Sequence, residues 1–153
     1  MTTSQNASTL RDEIIAEALS WQGTPYRHQA SCKGAGCDCL GLIRGVYRHF
    51  WDEPETPPPY SPDWAETNGR ETLALAATRY LISVEKEDRA PGDVLLFRYK
   101  KGFPAKHAGI LINSTQFLHA QHGGNVSVAS LGPLVAAPSR LCLRFSSQSF
   151  LTP

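Results

Sequence analysis

No stretch of this 153-residue sequence is apolar over the length needed to cross a membrane. Nor does it open with a basic segment leading into an apolar one: "MTTSQNASTLRDEIIAEALSW" is polar, then amphipathic. A chain made in the cytosol and staying soluble is expected, with no membrane insertion. Acidic residues are missing from one end altogether. Residues 1–93 hold all 14 Asp and Glu with nine of the 15 Lys and Arg, net −5, whereas residues 94–153 hold six basic residues and no acid. Four of those cations crowd into "RYKKGFPAK" (Arg98, Lys100, Lys101, Lys106). Two readings stay open: a surface that attracts an anionic polymer or acidic partner, or two halves of one domain that neutralise each other. There is no phosphate-cradling glycine loop, no nucleic-acid motif and no internal repeat, so no nucleic-acid partner is expected. The length suits a single domain, 1–153.

Cysteine is scarce, at four residues: Cys32, Cys37, Cys39 and Cys142. Without an export signal, these thiols read as reduced, catalytic or metal-binding rather than as a disulfide framework. Cys32, Cys37 and Cys39, with His28 or His49, would be enough ligands for zinc. The spacing Cys-x4-Cys-x-Cys is not the paired knuckle of structural zinc sites, however, and no second pair follows.

Apolar periodicity divides what remains. "STLRDEIIAEALSWQG" sets Leu10, Ile14, Ala18 and Trp21 on one helical face, with Ser8 or Thr9 as N-cap and Gly23 as stop. "CLGLIRGVYRHFW" repeats the pattern with Leu40, Ile43, Val46, Tyr47 and Phe50, so a second helix should start at about Cys39 and end before Pro54. The proline-rich "EPETPPPYSPDW" reads as a connector. "NGRETLALAATRYL" opens with a capping-box pattern, Asn68 to Glu71, and reads as a third helix. From Pro91 the period becomes that of strands: "PGDVLLFR", "HAGILI", "QFLHAQ", "NVSVASL" and "LCLRFS", separated by turn residues. Helices first and strands afterwards predict an α+β fold, with N-terminal helices packed on a C-terminal antiparallel curved sheet or partial barrel.

A thiol at the start of a helix faces unpaired backbone N–H groups, which favour the thiolate; Cys39 stands there, and Cys37 does not. The alternative is that Cys39 is a small buried hydrophobe. A cysteine nucleophile needs a base and the base an orienting partner. His107 and His119 fall on adjacent predicted strands. With no acid after Asp93, a third triad member within the sheet must be neutral, and His119 leads, ahead of Asn113, Gln121 and Asn125. A two-residue turn between the strands would send the two histidines to opposite faces, whereas a three-residue loop, 113–115, would pair Gly109 with His119 and put both on one face. That face must then look toward the start of the second helix, with Gly109 leaving room for the imidazole.

"GTPYRHQASCKGAGCDCLGLI", "APGDVLLFR", "HAGILI" and "FLHA", in this order, resemble the NlpC family of papain-like cell-wall cysteine peptidases. The wording "PYRHQAS…GCDCLGLIRGVY" and the connector "PPPYSPDWAE" are similar to the branch found in phage tails and phage-derived gene transfer agents. The likeness runs from about Trp21 to Arg144. It implies a papain-like fold, Cys39 as nucleophile, His107 as base, His119 as its orienter, and Tyr26 beside the thiol, positioning it or the oxyanion. It implies no metal and no cofactor. Leu40 stands where many members have Ser, and no wall-binding module is apparent in the sequence.

The implied reaction is hydrolysis of amide bonds in peptidoglycan stem peptides. Delivery would be by a tail-like particle, with tail hub or tip proteins as partners and the periplasm or cell wall of a target cell as the place of action. A catalytically silent structural or adaptor subunit of such a particle is the alternative.

Overall fold

A computed structural model describes residues 3–53, 77–98, 105–132 and 140–146 of the chain. Helix α1 spans Thr3–Leu19 and α2 spans Cys39–Phe50; between them lies a two-stranded hairpin, β1 (Ser31–Cys32) and β2 (Gly36–Cys37). Six strands follow: β3 (Leu81–Val84), β4 (Val94–Arg98), β5 (Ala105–Leu111), β6 (Gln116–Ala120), β7 (Val126–Ser130) and β8 (Arg140–Phe145). They form one curved antiparallel sheet in the order β3-β8-β4-β5-β6-β7 that does not close into a barrel. All five strands expected after Pro91 are present. Helix α1 starts a turn or more before Ser8, because no Gly or Pro between Thr3 and Ser8 stops it. Strand β3 was not expected: Ala77 is helical, Tyr80 N–H bonds back to the Ala77 carbonyl at 3.0 Å, and the chain extends from Leu81. The rest of the expected third helix and the proline-rich connector lie outside the described residues.

The sheet has two differently furnished faces. Val94 and Leu96 of β4, Ala108 and Ile110 of β5, and Leu118 and Ala120 of β6 join Ile14, Ala18, Trp21, Leu42, Ile43 and Val46 in the main core under the helices. Alternation sends Leu95, Leu111, Phe117 and Cys142 to the other side, where with Leu131 they make a second apolar cluster. Helix α1 meets α2 through Trp21, which is 2% exposed and lies over Gly45; a Cβ there would stand 2.1 Å from the ring. Glu17 ties three segments together. It accepts from Trp21 Nε1 at 3.0 Å, pairs with Lys33 of the β1–β2 turn at 2.9 Å and approaches His49 of α2 at 3.4 Å.

The acid-free last third is neutralised at one point by the acidic first part. Asp93, 1% exposed, takes two bonds from the Arg144 guanidinium at 2.8 and 2.9 Å and one from the Ala90 N–H at 2.9 Å. The pair fastens the start of β4 to β8. The cationic side chains of Arg98, Lys100, Lys101 and Lys106 lie outside the described residues.

Candidate active site

Asp38 starts the site by starting the helix. Its backbone is extended (φ −100°, ψ −172°), its carbonyl accepts from Leu42 N–H at 2.9 Å, and its Oδ1 accepts from Gly41 N–H at 2.7 Å, which makes it the N-cap of α2. Oδ2 accepts from the Gln29 N–H at 2.8 Å, and His28 Nδ1 lies 3.9 Å from the same oxygen. Gln29 presents that amide from a left-handed conformation, φ 65°, the only positive φ of a non-glycine residue among those described. Residues 28–31 are thereby strapped across the first turn of α2. Ser31 Oγ adds a bond to the Gly41 carbonyl, 2.6 Å, and a Cβ on Gly41 would fall 1.9 Å from the Ala30 carbonyl oxygen. The second residue after Cys39 must therefore be glycine for the strap to lie flat. Leu40 turns its side chain into the core, 1% exposed, so the departure from Ser alters packing.

Cys39 is the first residue of α2 and keeps part of its surface open to solvent, although its sulfur is enclosed by dense protein. The ladder between β5 and β6 ends at Ile110↔Leu118. One step further on, the Ala108 N–H is directed at the sulfur, which the amides of Cys39 and Leu40 also face. These amides lower the thiol pKa, but burial first and the Asp38 carboxylate second outweigh them and push it up to about 12. The thiolate expected from the helix start alone is thus not the resting form. The cap that makes the helix start there also brings a carboxylate next to the sulfur.

Between β5 and β6, Ile112 still pairs with Gln116, its N–H bonded to the Gln116 carbonyl at 3.0 Å, so the loop beyond the pairing has three residues, 113–115. Asn113 shapes it, its Oδ1 accepting from the N–H groups of Thr115 and Gln116, each at 2.9 Å. This parity brings His107 and His119 to one face, with His107 Nε2 and His119 Nδ1 2.8 Å apart. One residue more on β5 than on β4 between Phe97↔His107 and Arg98↔Ala105 makes a bulge beside His107, a device that re-aims a side chain.

Two details differ from expectation. The histidines share the face of the second apolar cluster, with Phe97 and Phe117, not the face under the helices; what meets the Cys39 sulfur is the N–H of Ala108, the residue after His107. Gly109 makes room not for the imidazole but for Phe117, since a Cβ there would lie 2.5 Å from its ring.

Phe97 and Phe117 wall the pair. Phe97 is stacked with His107 at 6.1 Å between centroids, and Phe117 lies 4.7 Å from His119. His119 is 9% exposed, and burial lowers its pKa, so it is neutral near pH 7. A neutral His119 is able to accept at Nδ1 a hydrogen bond from His107 Nε2–H, the arrangement that leaves His107 Nδ1 free as a base; the opposite tautomers would reverse the bond.

Tyr26 is joined to the same place by its backbone. It bridges Cys37 in parallel, and its N–H bonds to the Gly124 carbonyl at 2.9 Å. Burial, then the charges of Asp38, Cys39 and Cys37, push the phenol up to about 12, so it is a hydrogen-bond donor at neutral pH. The ring of His122, in the β6–β7 turn, lies 5.0 Å from the Tyr26 ring. Sequence reasoning overlooked both His122 and Asp38. For Asp38 the signal was present, as an N-cap residue type before an apolar repeat; for His122 there was none.

The other cysteines are not part of this geometry. Cys32 is exposed, Cys37 and Cys142 are buried, and burial raises Cys37 to about 12 and Cys142 to about 11. Among the described residues no three His, Cys, Asp or Glu side chains gather closely enough to hold a metal ion, so the zinc ligands considered from the sequence do not assemble.

Residues 23–137 match the NlpC/P60 family. "Probable endopeptidase NlpC" of Escherichia coli is 30% identical over 112 residues, covering 73% of this chain and 62% of that protein. "Murein DD-endopeptidase MepS/Murein LD-carboxypeptidase" of E. coli is 27% identical over 122 residues, covering 80% and 55%. The chain therefore spans about three-fifths of these relatives' length or less. An NlpC/P60 family protein from Bacillus cereus superposes with a TM-score of 0.62 at 21% identity, over 88% of this chain and 40% of that one. The peptidoglycan hydrolase RipB from Mycobacterium tuberculosis gives 0.57 at 20%, over 94% and 68%. These two likenesses establish the fold.

Proposed function

The chain belongs to the NlpC/P60 family, and from that premise we propose that it is a cysteine peptidase hydrolysing amide bonds in peptidoglycan stem peptides. The observation that supports this reading is the bond between His107 Nε2 and His119 Nδ1, 2.8 Å, next to the step where the β5–β6 ladder ends and the Ala108 N–H turns to the Cys39 sulfur. A merely structural pair of histidines would not need a ladder that opens at that step.

With Nε2 engaged by His119, His107 receives the thiol proton at Nδ1 as the sulfur attacks the substrate carbonyl carbon. The oxyanion that forms is received by N–H groups at the start of α2, including that of Cys39, and Tyr26 stands by as a neutral donor. The C–N bond then breaks, His107 returns the proton to the departing amine, and a thioester remains on Cys39. Water, deprotonated by His107, hydrolyses the thioester and restores the thiol. No step calls for a metal or cofactor.

Delivery by a phage-tail or gene-transfer-agent particle is part of the same proposal. It rests on the wording "PYRHQAS…GCDCLGLIRGVY" and the connector "PPPYSPDWAE". In that setting the enzyme is made in the cytoplasm, held by tail hub or tip proteins, and acts in the periplasm or cell wall of the target cell. The alternative, a silent adaptor subunit, is separated by one experiment. Purified sacculi are incubated with the protein and with Cys39→Ala, and released fragments are identified by mass spectrometry. New free amines only with the intact thiol support the enzyme; none with either protein sinks it.

A further inference from the structure

We infer that Asp38 is a positioning residue for the nucleophile: it shares out the donors at the start of α2, taking the Gly41 and Gln29 amides itself and leaving those of Cys39, Leu40 and Ala108 to face the sulfur until substrate arrives. This rests on the reading of Cys39 as nucleophile. Three observations carry it. Asp38 is 3% exposed, so its charge cannot be spread into water and acts on what surrounds it. Each carboxylate oxygen is held by a backbone amide, at 2.7 and 2.8 Å, which fixes the charge in place. The chain accepts a left-handed Gln29 to make the second bond, which an ordinary N-cap does not require.

The consequence is a resting thiol that keeps its proton. A charge fixed one residue away opposes a second negative charge on the sulfur unless an imidazolium forms alongside it. Asp38 thereby couples deprotonation of Cys39 to His107, and idle thiolate, which oxidants and alkylating agents attack, does not accumulate. Among the described residues, the titratable groups near the start of α2 include Asp38, whose charge acts on the sulfur, and Tyr26, on which the charge of Cys39 acts. Further along the same elements are Cys37 and His28 of the preceding segment, His107 of β5 and His119 of β6. Asp38 is the carboxylate among them, and its charge opposes one on the sulfur.

The test is the pH profile of iodoacetamide labelling, mapped cysteine by cysteine by mass spectrometry on the folded full chain, with folding checked by circular dichroism. Asp38→Asn and Asp38→Ser remove the charge while keeping an oxygen able to cap the Gly41 amide; Asp38→Glu keeps the charge and disturbs the fit. Expected are midpoints for Cys39 lowered by about one unit or more in Asn and Ser, hence labelling about tenfold faster below the midpoint, and a wild-type midpoint in Glu. Unchanged midpoints in folded Asn and Ser variants, or an equal shift in Glu, would overturn the inference, since a purely structural cap predicts either. Should one uncharged variant not fold, the other decides. Labelling needs no substrate, so failure to digest sacculi would remove the proposed function and leave this result readable.

Discussion

Gly41→Ala should damage this protein even though alanine is the better helix former. Position 41 lies in the first turn of α2, where the exchange by itself gains about 1 kcal/mol of helix propensity. Against that, the new Cβ would stand 1.9 Å from the Ala30 carbonyl oxygen and 3.0 Å from Asp38 Oδ1. The first of these atoms is backbone, tied in place by the Asp38 N–H at 3.3 Å and by the neighbouring Gln29 and Ser31 bonds. Forcing the strap away costs about 1–3 kcal/mol of overpacking. Losing two of its hydrogen bonds costs about 1 kcal/mol each. The balance is a net loss of about 2–4 kcal/mol, and for a chain of this size a fall in melting temperature of about 5–15 °C. Calorimetry on Gly41→Ala would measure it, with Gly124→Ala as control, because a Cβ there meets its nearest atom at 3.7 Å. A Gly41→Ala protein that melts with the wild type would refute the reasoning, because the close approach of residues 28–31 to α2 would then be soft.

Other perturbations follow from the same geometry. His119→Asn, which can still accept from a ring N–H, should keep more activity on sacculi than His119→Ala, while any His107 variant should lose about 10²-fold or more; equal losses for Asn and Ala would show that His119 does more than orient. In the native protein iodoacetamide should label exposed Cys32 first at pH 7–8, with Cys37 and Cys142 labelled only on unfolding; early labelling of either buried thiol would count against the burial described. Stability should decline above about pH 9. Cys37 and Cys39 at about 12 and Cys142 at about 11 are raised in the fold, so their contribution is complete below the ordinary thiol pKa and is lost as pH rises through those values. Thermal melts at pH 8, 9, 10 and 11 check this, and a flat series would contradict it. Asp93→Ala, which strands the Arg144 guanidinium and the Ala90 amide, should cost about 2–4 kcal/mol in urea unfolding, and a neutral outcome would mean that the pair does not fasten β4 to β8.

Much of this architecture was legible in the sequence, because apolar periodicity reports directly on which face of an element is buried. Leu40, Ile43, Val46 and Tyr47 marked α2 and are all in its core. The parity rule for the β5–β6 loop was sufficient to demand three residues before His107 and His119 could meet. What was not legible depends on approach in three dimensions. Strand β3 follows a helical residue after a short turn, and its four residues show no alternation strong enough to announce it. The helix-dipole argument for a Cys39 thiolate counted the donors at the helix start but not the carboxylate that competes for them. Which face of the sheet carries the histidines is a matter of how α1 and α2 settle on it, and no local pattern encodes that.

The opening at Ala108 gives this protein a reporter of its own chemistry. Most amides in the sheet are shielded by a neighbouring strand, and their proton resonances record the fold. The Ala108 amide instead faces a sulfur atom. Its chemical shift should therefore follow the oxidation, alkylation or acylation of Cys39, and its exchange with solvent deuterium should quicken when the sulfur is removed. A single ¹⁵N-labelled resonance would then time thioester formation and breakdown on the intact protein, without a chromogenic substrate and without a label placed near the site.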